Sequence, residues 1–341
     1  MKCLLAAALL IFAGSAVAQS GPLSPRDFGA IGDGKADDTA ALKKWLSALA
    51  QAGMGYCGSG NYRVRDSLVQ PPHTTILGSH RCVIRPIRTG ASHVAFSQSP
   101  GSTLDGIMLD GSDAPAGTIG LGFVTSSSGV ADGGHTHNVF VANFFRPGST
   151  GIYVHDVILW NFQEVVTDRN HVNFHIGKKG GDQTTTVWIG NSSFRSAITT
   201  GLWIESGQEI TLAGDNAENN KGAGMLIDAS ANPGVISGLT IGPNTHFEAN
   251  WLSLPAGAQR HAQYNLILHA AQDVALRDIQ FQGAANDPKA AELIDVRDYV
   301  LDNVRVTRMP GEIAMTGANV GSVVNWPELN GALAAIISGR R

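Results

Sequence analysis

Cysteine is scarce in this chain. There are 3 in 341 residues, and only Cys57 and Cys82 lie beyond the first few positions, which limits the covalent framework to one bridge at most. Basic residues number 24 against 28 acidic ones, for a net charge of −4. They nowhere cluster with interleaved aromatics, so nucleic acid is excluded as a partner. Past the first 18 residues no apolar run reaches the roughly 20 residues that cross a bilayer, so no membrane insertion is expected after the leader is removed. Helical periodicity is also sparse, being confined to one segment before Gly53 and a stripe of Leu329, Leu333, Ile336 and Ile337 near the end. That excludes a helical repeat as the main body.

What is present begins with a leader. Lys2, the apolar stretch Leu4 to Phe12 and the small-residue pattern Ala16-Val17-Ala18 read as a secretory signal over residues 1–18. The mature chain is therefore expected to be secreted or periplasmic. An oxidising compartment favours a Cys57–Cys82 disulfide, with two buried thiols as the alternative. Glycine is abundant, 41 of 341 residues, against a typical share of about 7%. It is spread along the chain, which points to many turns.

The turns punctuate a repeat. One apolar strand recurs at Val187, Ile210, Leu239, Val274 and Val300, at steps of 23, 29, 35 and 26 residues. A second follows at Gly201, Gly224, Asn265, Ala291 and Glu312. Short alternating strands at a core period of 20–30 residues predict an all-β solenoid with coils stacked in parallel. A propeller needs longer, more uniform four-stranded units, and a sandwich does not sustain this repetition. The open first coil needs a cover. The stretch Asp27 to Leu42, DFGAIGDGKADDTAAL, supplies one: a short strand at Asp27–Ala30, a turn at Gly32-Asp33-Gly34, and Asp37, Asp38 and Thr39 as N-cap oxygens. The helix they open places Ala41, Leu42, Trp45, Leu46 and Leu49 on one face.

That stretch, with Gly58-Ser59-Gly60-Asn61-Tyr62-Arg63-Val64 after the helix, resembles the N-terminal signature of the pectate-lyase-like superfamily, specifically its rhamnogalacturonase/epimerase-like domain. The resemblance implies a single-stranded right-handed parallel β-helix with an N-terminal capping helix. The expected division is a signal over 1–18, strand and capping helix over 19–56, β-helix over 57–326 and a C-terminal capping segment over 327–341. It also implies a polysaccharide as partner, with hydrolases, lyases, epimerases and non-catalytic members all open. The NTD, paired-Asp, GHG and RIK elements of polygalacturonases are missing, as is a clear calcium-binding acid cluster of the pectate-lyase kind.

Two outward columns carry candidate chemistry. Aligning GNSSFRS, GDNAENN and GPNTHFEAN brings Arg195, Glu218 and Glu248 within one residue of a shared column, with Asn220 and Asn250 two positions on. Carboxylates on adjacent coils approach the ~5–5.5 Å spacing of retaining glycosidases, so Glu218 and Glu248 are the expected catalytic pair. Arg195 beside them suits a uronate carboxylate or charge formed in β-elimination. The second column aligns Glu205, Asp228 and His269, with Asp295 as its continuation, and is expected to bind substrate. Turn satisfaction or a solvated face explains both columns equally well. His135 and His137 form an HxH pair without a third or fourth ligand, in what reads as a polar loop from Ser126 to Asn138, so no metal site is expected. No cofactor is expected, with calcium the exception if the reaction is a lyase's.

Overall fold

The computed structural model describes residues 21–87, 94–125, 131–178, 184–233, 235–251, 264–283, 289–308 and 313–324. The expected leader at 1–18, the stripe from Leu329 to Ile337 and Glu312 lie outside them. The chain winds into a parallel β-solenoid in which each full coil adds one strand to each of three sheets, of 11, 11 and 10 strands. The first sheet runs from Met54–Cys57 to Val320–Val324, the second from Asp33–Asp37 to Arg305–Thr307, and the third from Leu68–Val69 to Ile313–Thr316.

Alternation dictates what faces inward. On the third sheet Leu202 and Ile204, Met225 and Ile227, and Leu266 and Leu268 are each 0% exposed, and successive rungs pair in register. On the second sheet Phe194, Ala217, Phe247 and Phe281 occupy one inner column, with the last two rings stacked 4.8 Å apart. Full burial of such a side chain stabilises the fold by about 2 kcal/mol.

The corners explain why the repeat is hard to see. Between the first and second sheets the chain turns on one left-handed residue per coil. Asn138, Glu164, Asn191, Gly214, Asn244, Asp278 and Asn303 all have φ between 49° and 72°. Asn and Asp tolerate this region through local hydrogen bonds, so glycine is needed at few of these turns. These corners split the apolar stretch that includes Val274 into Gln272–Arg277 and Gln280–Gln282, and the one that includes Val300 into Arg297–Asp302 and Arg305–Thr307. The last repeat also shifts by one residue. Val274 pairs with Tyr299, and Val300 lies opposite Ala275.

A second internal ladder sits where the second sheet hands over to the third. Asn220 is fully buried. Its Oδ1 accepts from the Ala197 amide at 2.9 Å, and its Nδ2 donates to the Phe194 carbonyl at 3.0 Å and to Asn250 Oδ1 at 2.8 Å. Asn250 in turn donates to the Ala217 carbonyl and to Asn265 Oδ1. Asn220 and Asn250 are thus structural, each replacing water for backbone that turns away from the sheets.

At the N-terminus the helix Thr39–Ala52 buries Leu42, Trp45, Leu46 and Leu49 over the first coil. Three local expectations are corrected there. Asp27 and Phe28 close a 3₁₀ helix, Pro25–Phe28, instead of forming a strand. Asp33–Asp37, placed partly in a turn, is the first strand of the second sheet. Asp38 stands at the N-cap, but its carboxylate accepts from the Ile31 and Gly32 amides at 2.7 and 3.1 Å and so pins the preceding turn. Gly32 has φ +66°, and a Cβ there would meet Tyr62 Cε1 at 2.7 Å. Nearby, Cys57 of the first sheet is bonded to Cys82 of the second, with Cα atoms 5.6 Å apart and a sequence separation of 25. Closing a loop of this size removes about 3 kcal/mol of unfolded-chain entropy.

Candidate functional site

The outer face of the second sheet carries the first column. Arg195 pairs in register with Glu218, and Glu218 with Glu248, so the one-residue slip tolerated by the sequence alignment is absent. Adjacent parallel rungs are about 4.8 Å apart, and both glutamates are half-buried. Their surroundings divide them. Glu248 Oε2 lies 3.2 Å from His246 Nε2. Arg195 turns toward the preceding rung, where its Nε is 3.8 Å from Asp168 Oδ1, so it does not act as the glutamates' immediate charge partner. An open cleft of about 360 Å³ lies beside this face, lined in part by His246, Gln280 and Arg305 but by neither glutamate.

The outer face of the third sheet is richer. One column runs Tyr153, His175, Trp203 on successive rungs. The next outward position on each strand gives a second column, His155, Gly177, Glu205, Asp228 and His269, with Asp228 opposite His269 in register. The two columns touch. His175 Nε2 is 2.9 Å from Glu205 Oε2. The His175 ring stacks on Trp203 at 4.2 Å and 2°, and meets Tyr153 edge-on at 5.0 Å. Tyr153 lies 5.4 Å from the His155 ring, and His155 Nδ1 is 3.2 Å from Asp156 Oδ2. Further along, His269 Nδ1 is 3.3 Å from Asp228 Oδ1. Burial among these rings pushes the His175 imidazolium below the ordinary 6.5, and this outweighs the Glu205 carboxylate, which acts the other way. His175 is therefore neutral at pH 7, with Nε2 donating to Glu205 and Nδ1 left as acceptor.

Asp295 does not continue this column. Ile294 is the residue opposite His269. Asp295 sits one place on, at a corner with φ 52°, where its Oδ1 accepts from the Ala318 amide at 2.7 Å. It joins His269, Gln272 and Arg297 in lining a second cleft of about 380 Å³.

The HxH pair is also repositioned. His135 and His137 belong to a strand, Ala131–His137, of the first sheet, while residues 126–130 of the expected loop lie outside the described residues. His137 contacts Asp105 at 3.2 Å and Glu164 at 3.6 Å. Among the described residues no group of three or more His, Cys, Asp or Glu is placed to hold a metal ion.

One buried acid stands apart from both columns. Asp215 is 1% exposed, accepts from the Ser192 amide at 2.8 Å, and burial pushes its carboxyl up to about 8. Between pH 4 and 8 the folded chain thus holds a proton that the unfolded chain has released, so stability falls as pH rises across that window. Asp215→Asn mimics the protonated acid and removes this slope. Urea unfolding at pH 4 and pH 8 should show the variant gaining on the wild type by at least ~1.4 kcal/mol, the value of one pH unit for one proton. A constant difference between the two pH values would contradict this assignment.

Sequence reasoning located Glu205, Asp228 and His269 but missed Tyr153, His155 and Trp203. Their signal was the outward alternation in TGIYVH and TGLWIE, legible once both strands are assigned to one sheet.

The family model described as rhamnogalacturonase A/epimerase, pectate lyase-like, matches residues 24–285. Among solved structures the chain is similar to the A-module of the mannuronan C-5 epimerase AlgE6 from Azotobacter vinelandii, at 14% identity over 89% of this chain and 99% of that one, with a TM-score of 0.51. It is similar also to PfbA, a surface protein and adhesin of Streptococcus pneumoniae, at 12% identity over 90% and 99%, TM-score 0.55. A third is tailspike protein 2 of the Escherichia coli O157:H7 bacteriophage CAB120, at 14% identity over 88% of this chain and 38% of that one, TM-score 0.53. At such identities the likeness shows the fold alone. No curated protein matches the chain.

Proposed function

Because the chain belongs to the rhamnogalacturonase A/epimerase, pectate lyase-like family, we propose that it is an exported, polysaccharide-active enzyme that performs proton transfer on a uronate-bearing chain at Tyr153, His175 and Glu205. The observation that carries this reading is the half-sheltered His175–Glu205 pair at 2.9 Å, set between the rings of Tyr153 and Trp203. Removing the proton beside a sugar carboxylate needs a base that is unprotonated at working pH, a second proton carrier and positive charge near the substrate carboxylate. Glu205 fixes the tautomer of His175 and leaves Nδ1 to take the proton. The Tyr153 phenol is the second carrier. Lys178, exposed and next to Gly177 in the chain, supplies positive charge at the rim. Trp203 and the Asp228–His269 pair extend the surface along the coils and suit pyranose faces and hydroxyls. A C-5 epimerase of the same fold is in keeping with this chemistry.

A second reading keeps the hydrolase expectation. It rests on the in-register Glu218–Glu248 pair, whose rung spacing suits a retaining mechanism. A third, binding without turnover, has the adhesin of the same fold in its support.

Purified mature protein incubated in deuterated buffer with uronate-containing and neutral polysaccharides separates the three. Absorbance from unsaturated uronates, or deuterium entering the sugar ring without chain cleavage, is the expected result. New reducing ends without unsaturation would transfer the chemistry to Glu218 and Glu248. Retention on a polysaccharide column with neither product would leave binding alone, and inertness in every assay would sink all three.

A further inference from the structure

Gly177 breaks the outward column between His155 and Glu205. The Val154–Ile176 and Ile176–Ile204 pairings put the residues that follow them, His155, Gly177 and Glu205, on consecutive rungs. Every other described member of the stretch from His155 to His269 carries a polar or charged side chain. The gap is filled diagonally. Tyr153 starts one rung earlier and two residues back, and its ring crosses the pleat to lie over Gly177. A Cβ at position 177 would stand 2.5 Å from the Tyr153 hydroxyl oxygen and 2.7 Å from Cζ. Real Cβ contacts are not that close, so any side chain here displaces the phenol. Gly177 does not adopt a left-handed φ, so conformational freedom is not the reason for glycine. What it supplies is room.

We infer that Gly177 is a positioning residue: its missing side chain forms the notch that seats the Tyr153 hydroxyl between His155 and Glu205, beside His175. This rests on the proton-transfer reading above and adds a residue to it that touches no substrate. Because the notch lies on the rung of His175, the phenol and the imidazole face one sugar ring from neighbouring columns. A displacement of about 1 Å in such a constellation costs on the order of 100-fold in rate.

Covering a bare strand glycine with an aromatic ring is also a purely structural device, and the chain holds a control for it. Gly190, on the first sheet, lies under Trp188, whose Cζ3 would be 2.7 Å from an added Cβ. It belongs to neither column. The experiment compares Gly177→Ala, Gly190→Ala, Tyr153→Phe and the Gly177→Ala/Tyr153→Phe double variant on the polysaccharide that the wild type converts. Gly177→Ala should lower kcat by roughly 100-fold with KM changed less than about 3-fold, and Gly190→Ala should leave both unchanged. Both alanines should lower the melting temperature similarly. Tyr153→Phe should lose kcat while keeping its packing, and adding Gly177→Ala to it should cost nothing further. Wild-type kcat in Gly177→Ala, or losses that multiply in the double variant, would overturn the inference while leaving the enzyme reading intact. Wild type inert on every polysaccharide overturns both. If Gly177→Ala does not fold, unchanged kcat in Tyr153→Phe overturns the role given to the hydroxyl.

Discussion

His175→Gln should reduce kcat on a uronate polysaccharide by about 10²- to 10⁴-fold, the range typical for loss of a general base. Glutamine keeps a donor toward Glu205, so the carboxylate is not left without a partner, and the substitution introduces no charge between Tyr153 and Trp203. The lost group is the imidazole nitrogen to which the proposed mechanism assigns the proton. Circular dichroism and thermal melts should therefore resemble the wild type while turnover collapses. The pH profile is a second readout. Burial holds His175 below the ordinary 6.5, so the acid limb of wild-type activity should lie below that value, and Glu205→Gln should shift the limb lower still by removing the one charge that favours protonation. The sign for stability is the same. The unfolded chain takes up a proton at this histidine before the folded one does, so stability declines as pH falls from about 6.5. Activity surviving intact in His175→Gln would remove the third sheet from the mechanism and return attention to Glu218 and Glu248.

The second large effect is on stability. Asn220→Ala should cost about 3–5 kcal/mol, because it strands the Ala197 amide and the Phe194 carbonyl in a dry interior and deprives Asn250 Oδ1 of its 2.8 Å donor. Each unsatisfied buried group costs roughly 1–3 kcal/mol. Side-chain amides have both a donor and an acceptor, which is what a corner needs when one coil's amide and another's carbonyl both point inward. No aliphatic residue can serve. Lys221→Ala, one residue on and exposed, should change stability by less than about 0.5 kcal/mol. Urea denaturation of both variants checks the contrast. In a solenoid each coil contacts its neighbours only, so the loss should appear as earlier unfolding around Phe194–Asn265 in hydrogen exchange, ahead of the capped N-terminal coils. A loss below 1 kcal/mol for Asn220→Ala would mean that water replaces the amide.

Much of the fold was legible because burial repeats. The inner positions Val187, Ile210, Leu239 and Val274 align in the structure as they do in the sequence. So do the inward residues of Leu202–Ile204 and Met225–Ile227. Legibility fails where the chain turns. A left-handed Asn or Asp at a corner looks like any polar loop residue, so the three-residue strands Gln280–Gln282 and Arg305–Thr307 read as tails of their neighbours. At Val300 and Asp295 a one-residue uncertainty decides the face on which a side chain stands, and there the sequence reading slipped.

The capping helix, the parallel coil architecture, the polar columns and their residue types follow from the sequence itself, since apolar spacing and turn chemistry are local properties. Which column holds the more developed site was decided only in three dimensions. Glu218 and Glu248 stand in register, yet Arg195 leans away toward Asp168. Tyr153, His175 and Glu205 come from three different coils, and the Tyr153 ring crosses toward the next column over the bare Gly177 of the intervening rung. Such diagonal contacts depend on the size of what is missing from a neighbouring strand, and no periodicity within a single strand records it.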